Sequence, residues 1–177
     1  MLTGMSKASW GDDPWNHEPD EVRWWHLGLP CAVLRTDMGN FNGYVGVPPR
    51  HPWWERTYQN LEDSEAVVDV HGGLTFSGRP FEEPIPPLGG AESEDALVDM
   101  SLGRLVGWWW FGFDCAHAFD LQPGMVAMLR ERYAGLGDDQ ADAVAYAYGR
   151  DGVYRDVNYV RAECEKLAAR LCVEVHA

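Results

Sequence analysis

The chain is 177 residues long and carries 28 acidic against 14 basic residues, a formal net charge of −14. A surface of that sign repels phosphate backbones and argues against general DNA or RNA binding, and no run approaches the ~18 apolar residues of a membrane span, so no membrane partner is expected. The length fits one domain that buries roughly 70% of its unfolded surface. Nine tryptophans exceed what packing in such a domain needs, which leaves some for a concave, partly exposed site.

Residues 1–18 are polar, contain Gly11 and Pro14, and read as an irregular N-terminal arm before a single domain over 19–177. "PDEVRWWHLG" reads as a short helical turn begun by Asp20 and stopped at Gly28. Cys31 to Thr36 and Gly43 to Pro48 read as strands joined by the Gly- and Asn-rich turn "DMGNFN". Three prolines within Pro48 to Pro52 remove donors and prevent regular structure there. "AVVDVHGGLTFSG" reads as a strand, a glycine turn and a second short strand. Residues 79–100 hold four prolines and six acids against one arginine, the composition of an acidic surface loop. The aromatic run "GRLVGWWWFGFDCAH" has the residue preferences of a buried central strand.

Helices follow. One starts near Pro123 and stops at Gly135 or Gly137, and an alanine-rich one ends at Gly149. The clearest element begins at Asp156 as N-cap, with Val157, Val160, Cys164, Leu167, Ala168 and Leu171 recurring on one apolar stripe. Strands precede helices rather than alternate with them. That order predicts an α+β fold: an antiparallel or mixed sheet, helices on one face and a long C-terminal helix. The glycine signatures of dinucleotide, P-loop and α/β-hydrolase sites are missing. Four dispersed cysteines and an N-terminus without a basic region and apolar block predict reduced thiols and no secretion signal.

Two segments concentrate site-type residues. On a strand, Asp69 and His71 share a face, an orienting pair for a base or metal ligand, and Gly72 and Gly73 allow close backbone approach to an anion. The plainer reading is a hairpin with a polar outer face. "GFDCAHAFD" packs Asp114, Cys115, His117 and Asp120 into seven residues at a strand end. As a strand it aligns Cys115 with His117; as a helical turn it aligns Asp114 with His117, with Asp120 one turn further. A cation held by His71, His117 and Asp114 or Asp120 fits these residues. So does Cys115 as nucleophile with His117 as base. So does ligand binding without catalysis, with Trp109 and Trp110 stacking on a ring and Arg155, at the start of the last helix, meeting a phosphate. The expectation is that the two segments form one pocket. No cofactor is required by the sequence.

Four motifs, "GYVGVP" followed by "HP", "VDVHGGLTFSG", "WWFGFDCAHAFD" and "YRDVNYVRAECEKLAARL", together resemble a family of small uncharacterised proteins of tailed phages and prophages, over about Pro19 to Leu171. The resemblance implies a phage accessory protein in a bacterial host's cytoplasm and no particular activity. Within that setting three readings stand. The first is a counter-defence protein that sequesters a nucleotide-like small molecule in an aromatic pocket. The second is a metal-dependent or cysteine hydrolase of a phosphoester or glycosidic bond, using His71, Cys115 and His117. The third is an acidic inhibitor of a host protein. A homo-oligomer is compatible with all three.

Overall fold

The computed structural model describes residues 7–11, 13–62, 69–79, 107–145 and 152–173. They form an α+β domain on a five-stranded antiparallel sheet, with strands β1 (Glu21–His26), β2 (Leu29–Arg35), β3 (Phe41–Val47), β4 (Phe76–Gly78) and β5 (Trp109–Asp114) in the order β1-β2-β3-β5-β4. The helices are α1 (Gln59–Glu62), α2 (Pro123–Tyr133), α3 (Asp138–Ala145) and α4 (Val157–Val173). Among the described residues no helix is long and apolar enough to cross a membrane.

Period-two alternation sets the two faces of the sheet. Cys31 and Val33 of β2, Phe41, Val45 and Val47 of β3, and Phe111 and Phe113 of β5 point to one side, all at most 1% exposed. Helix α4 lies on that side against β2 and β3. Its predicted stripe meets them there, with Val160, Cys164, Leu167, Ala168 and Leu171 fully buried. Each large apolar side chain so buried stabilises the fold by roughly 1.5–3 kcal/mol. His51 fastens the far end of α4, its Nε2 2.9 Å from the Leu171 carbonyl while its Nδ1 accepts the Trp53 amide at 3.0 Å.

Consecutive tryptophans divide between the faces, as alternation requires. Trp24 is in the core, whereas Trp25 crosses to the other face and meets Trp108 edge-on at 5.8 Å. Trp110, 2% exposed, packs with Ala32 on that second face, flanked by Tyr44 and Phe76.

Several expectations change. Residues 21–26 are a strand, not a helical turn, because aromatic and branched side chains alternate sides. Leu27 (φ 49°) and Gly28 (φ 77°) are the two positive-φ residues of the β1–β2 hairpin, so Gly28 turns a strand rather than ending a helix. The aromatic strand is second from the sheet edge, between β3 and β4, rather than central. The first strand expected in "AVVDVHGG" falls mostly on residues 63–68, outside the described residues, and Asp69 and Val70 are not in a strand. The acidic loop at 79–100 lies, after Arg79, outside the described residues as well.

The N-terminal segment has two short 3-10 turns, Lys7–Ser9 and Pro14–His17, and packs onto the domain. Trp10 and Trp15 are 8% and 9% exposed, and Trp15 meets Tyr154 edge-on at 5.2 Å. Helices α2 and α3 pack on each other, and α2 starts at the β2–β3 turn, where the Gly124 amide donates to Met38 O at 2.9 Å.

Candidate functional site

Strand β5 ends at Asp114, and the chain then turns instead of continuing the sheet. The Ala116 amide donates to Asp114 Oδ1 at 3.1 Å, the Asp120 amide donates to the His117 carbonyl at 3.0 Å, and the His117 amide donates to Asp120 Oδ2 at 3.1 Å. This turn places Asp114, His117 and Asp120 on one side and leaves Cys115 on the other. A second segment is laid against it: Val153 N donates to Phe119 O at 2.7 Å and Leu121 N to Val153 O at 3.1 Å. A Cβ on Gly152 would lie 2.8 Å from Asp120 C and Phe119 O, so the absence of a side chain there lets the two backbones touch. That docking delivers Arg155 and the first turns of α4 to Asp120.

His71 arrives from the opposite direction. Val70 to Gly73 form a turn closed by Gly73 N donating to Val70 O at 2.9 Å, with Gly72 and Gly73 at φ 66° and 83°. The His117 ring lies directly on Gly72, where a Cβ would come within 2.1 Å of His117 Cε1. The His71 amide donates to Glu163 Oε2 of α4 at 3.0 Å, and Lys166 pairs with the other oxygen of Glu163.

The groups converge on Asp120, whose carboxylate is 2% exposed. His71 Nε2 is 2.7 Å from Oδ2 and Arg155 Nε donates to Oδ1 at 2.9 Å. A carboxylate only accepts, so in the neutral ring His71 Nε2 carries the proton and Nδ1 accepts from the Tyr159 hydroxyl at 3.0 Å. Arg155 also lies over the Tyr159 ring, with 4.8 Å from guanidinium carbon to ring centroid. Burial by itself raises the Asp120 carboxyl, but the His71 and Arg155 hydrogen bonds outweigh it and hold the group below the usual carboxylate range.

His117 is the exception in this network. Its ring centre is 5.4 Å from that of His71, and its Nδ1 is buried without a hydrogen-bond partner among the described residues. The nearest carboxylate oxygens, on Asp114 and Asp120, are 3.7 and 3.8 Å away. His71, His117 and Asp120 each offer one donor atom to a group within 4.8 Å, in which Asp120 Oδ2 is 2.7 Å from His71 Nε2 and 3.8 Å from His117 Nδ1. Tetrahedral bonds of ~2.0–2.2 Å need donors ~3.3–3.5 Å apart, so small ring rotations would seat a cation.

His71, Gly72, His117, Asp120 and Arg155 are thus brought together, and several other candidates are not. Asp69 is exposed and lies toward Lys166 rather than orienting His71; the carboxylate beside His71 is Asp120, 49 residues further on. The alternation argument failed because Val70 to Gly73 turn instead of continuing a strand. Gly73 holds the turn, with open space around it. Cys115 is 1% exposed in the core, and burial followed by the nearby Asp120 and Asp114 charges pushes its thiol up to about 12. It is a protonated core residue at neutral pH, not a nucleophile.

Trp110 is buried on the far face of the sheet, and Trp109 donates from Nε1 to Arg56 O at 2.8 Å, lining an open depression with Glu55, Gly78 and Arg79. The rings at the His71 cluster are His117 and Tyr159. Helix α4 offers few free amides at its start, since Val157 N donates to Glu18 Oε1 and Tyr159 N to its N-cap Asp156 Oδ1. Tyr159 and Glu163 were not singled out from the sequence. The signal was there: Arg155, Tyr159 and Glu163 recur every four residues beside the apolar stripe.

No protein-family model, curated protein or solved structure matches the chain.

Proposed function

We propose that this protein is a metal-dependent hydrolase with one divalent cation of the zinc class held by His71 Nε2, His117 Nδ1 and Asp120 Oδ2. The observation that carries the reading is His117 Nδ1, buried with no hydrogen-bond partner among the described residues and 3.8 Å from Asp120 Oδ2 in a group that also includes His71. A buried polar atom without a partner costs about 1–3 kcal/mol, and a cation removes that cost while using both neighbours. Two histidines and one carboxylate are a ligand set of catalytic zinc sites, which keep a further position for water. A cation so held supplies a water acidified into the neutral range and polarises the bond to be broken.

The surrounding residues support that use. Were His71 to hold a cation through Nε2, its ring proton would sit on Nδ1 and be donated to the Tyr159 hydroxyl 3.0 Å away, which would fix the tautomer and the ring. Arg155 holds Oδ1 of Asp120, so that Oδ2 is presented to the site. Glu163 fixes the His71 backbone from below. A sequestering pocket walled by tryptophan has less support, since Trp109 and Trp110 stand in other surroundings. The setting we propose is the one the motif resemblance implies, a phage accessory enzyme in the cytoplasm of a bacterial host.

Metal analysis tests the reading. Protein dialysed against micromolar zinc should retain one equivalent, and cobalt substitution should give the visible absorption of a low-coordinate site. His117→Ala and His71→Ala should each lower affinity by 100-fold or more and abolish metal-dependent hydrolysis of nitrophenyl esters. Absence of stoichiometric metal, or retention unchanged in both variants, would overturn it.

A further inference from the structure

Arg155 has a second role that its bond to Asp120 does not use. Its guanidinium is fixed at two places, by Nε on Asp120 Oδ1 at 2.9 Å and by its face over the Tyr159 ring at 4.8 Å. Its two Nη groups carry four further N–H donors that meet no acceptor among the described residues, and the side chain is 27% exposed. The closed counterpart elsewhere in the chain is Arg35, 3% exposed, whose Nη groups are all engaged. A pre-oriented arginine edge with unused donors is suited to an oxyanion with several equivalent oxygens.

Charge balance points the same way. Asp120 is the carboxylate shared by the cation and Arg155, and Glu163 is offset by Lys166. With neutral histidines, a divalent cation and Arg155 bring three positive charges against the two carboxylates nearest the site, Asp114 and Asp120, and leave one in excess. A neutral glycoside or peptide would leave that excess uncompensated, whereas a phosphoryl group would neutralise it. Polyanions are opposed by the net charge of −14 on the rest of the molecule, which favours a small substrate over a nucleic-acid chain.

Resting on the metal-centre reading above, we infer that the substrate is a small phosphoester whose non-bridging oxygens are gripped by the Nη donors of Arg155, beside the carboxylate that Arg155 would share with the cation. Water adds to phosphorus, the P–O bond to the alcohol breaks, and the alcohol departs with a proton from that water; the products are phosphate, or a phosphomonoester from a diester, and the free alcohol. Arg155 binds the same oxygens through the transition state, over which the charge is spread.

The test uses the full-length protein, with inorganic phosphate as the binding probe and three chromogenic substrates: nitrophenyl phosphate, bis-nitrophenyl phosphate and the neutral nitrophenyl acetate. Arg155→Gln should weaken phosphate binding 10- to 100-fold and lower kcat/KM for the preferred phosphoester by 100-fold or more. Because Arg155 also holds Asp120 Oδ1, acetate hydrolysis read at saturating zinc should fall as well, but by at least tenfold less than hydrolysis of the phosphoester. Arg155→Lys should restore part of the phosphate affinity, since it returns the charge but not the fork. The two phosphate substrates distinguish a monoesterase from a diesterase, and activity on either supports the inference. Equal loss on phosphate and acetate substrates would overturn it, as would phosphate affinity unchanged in Arg155→Gln or no phosphate binding at millimolar concentration. Phosphate binding is read with and without zinc. Lack of a cobalt spectrum in the unmodified protein would count against the metal centre, while an Arg155-dependent phosphate site in the metal-free protein would leave this inference standing.

Discussion

Two charge networks sit on either side of the start of α4, and neighbouring residues divide between them: Tyr154 enters one and Arg155 the other. The Arg35 network is closed. All five guanidinium N–H donors have acceptors, namely Asp20, Glu18, Gly39 O, Trp15 O and the Tyr154 hydroxyl, and the plane stacks on Phe41 at 3.9 Å. The Asp120 network is open. Among the described residues it leaves His117 Nδ1 buried without a partner and the Nη donors of Arg155 without acceptors. A closed network has nothing left to offer a ligand and serves to fasten the N-terminal segment and the start of α4 to the sheet. An open one keeps donors and a lone pair available to a ligand. The difference teaches that buried charge marks a site only when part of its hydrogen-bonding capacity is left over.

The comparison breaks first, if it breaks, at Arg35. Arg35→Ala takes from the Glu18 carboxylate its cation, leaving only the Tyr154 hydroxyl and the Val157 amide, and unfastens three segments, so it should cost about 3 kcal/mol or more of stability in chemical denaturation. Metal affinity of the variant, measured where it is folded, should stay within a few-fold. A loss of stability below 1 kcal/mol would show that the closed network is not structural.

Gly72 and Gly73 sharpen the contrast within the site. Both have positive φ, but only Gly72 lies against the His117 ring. Gly72→Ala should cost about 2 kcal/mol or more from strain and overlap together, and it should weaken zinc binding by displacing His117. Gly73→Ala should cost only the backbone strain, about 1 kcal/mol, with metal affinity unchanged. Equal effects of the two on zinc binding would contradict the placement of His117.

The two tyrosines give a paired test one size smaller. Tyr154→Phe removes the hydroxyl that accepts from Arg35 and donates to Glu18, and should cost about 1–2 kcal/mol with no change in metal affinity. Tyr159→Phe should cost about 1 kcal/mol or less yet lower metal affinity roughly 10-fold, because it removes the group that sets the His71 tautomer. Calorimetry and metal titration on the two variants read both quantities.

The smallest effect is in acid. Burial raises the Asp20 carboxyl, but hydrogen bonds from Lys7 and Arg35 outweigh it, and Asp120 behaves likewise toward His71 and Arg155; both end below the usual range. A carboxyl depressed in the folded state contributes stability that is fully present above its unfolded pKa of ~3.9 and is lost as pH falls through the folded value. Stability of the metal-free protein should therefore fall as pH drops below about 4, and Asp120→Asn and Asp20→Asn should each flatten that limb. A limb unchanged in both variants would remove these carboxylates from the acid response.

Much of the fold was legible because its elements carry local signals. The stripe from Val160 to Leu171 repeats at helical spacing, and Phe41, Val45, Phe111 and Phe113 alternate at strand spacing, so burial of one face of each could be read directly. Glu21–His26 was misread because Asp20 and Gly28 imitate helix boundaries, while the alternation of Val22, Arg23, Trp24 and Trp25 carried the strand. At the site, the residue types at His71, His117 and Asp120 were visible, but their partnership was not. Asp69 stood two residues from His71 and looked like its orienting carboxylate, whereas a two-glycine turn sends it to the surface. Cys115 stood two residues from His117 and looked like its nucleophile, whereas the strand ends between them and the thiol stays in the core.

By itself the sequence determined the class of fold, the long helix that closes the core, and the lack of an apolar run long enough to cross a membrane as a helix. These follow from periodicity and composition, which are properties of neighbouring residues. Only the tertiary structure decided that His71, His117, Asp120, Arg155 and Tyr159 meet, and that Cys115 and Trp110 do not join them. The meeting depends on Gly72 beneath an imidazole and Gly152 against a backbone, two contacts between segments far apart in the chain. Packing at that range is set by which surfaces fit once the sheet and α4 have closed, and no spacing along the chain encodes it.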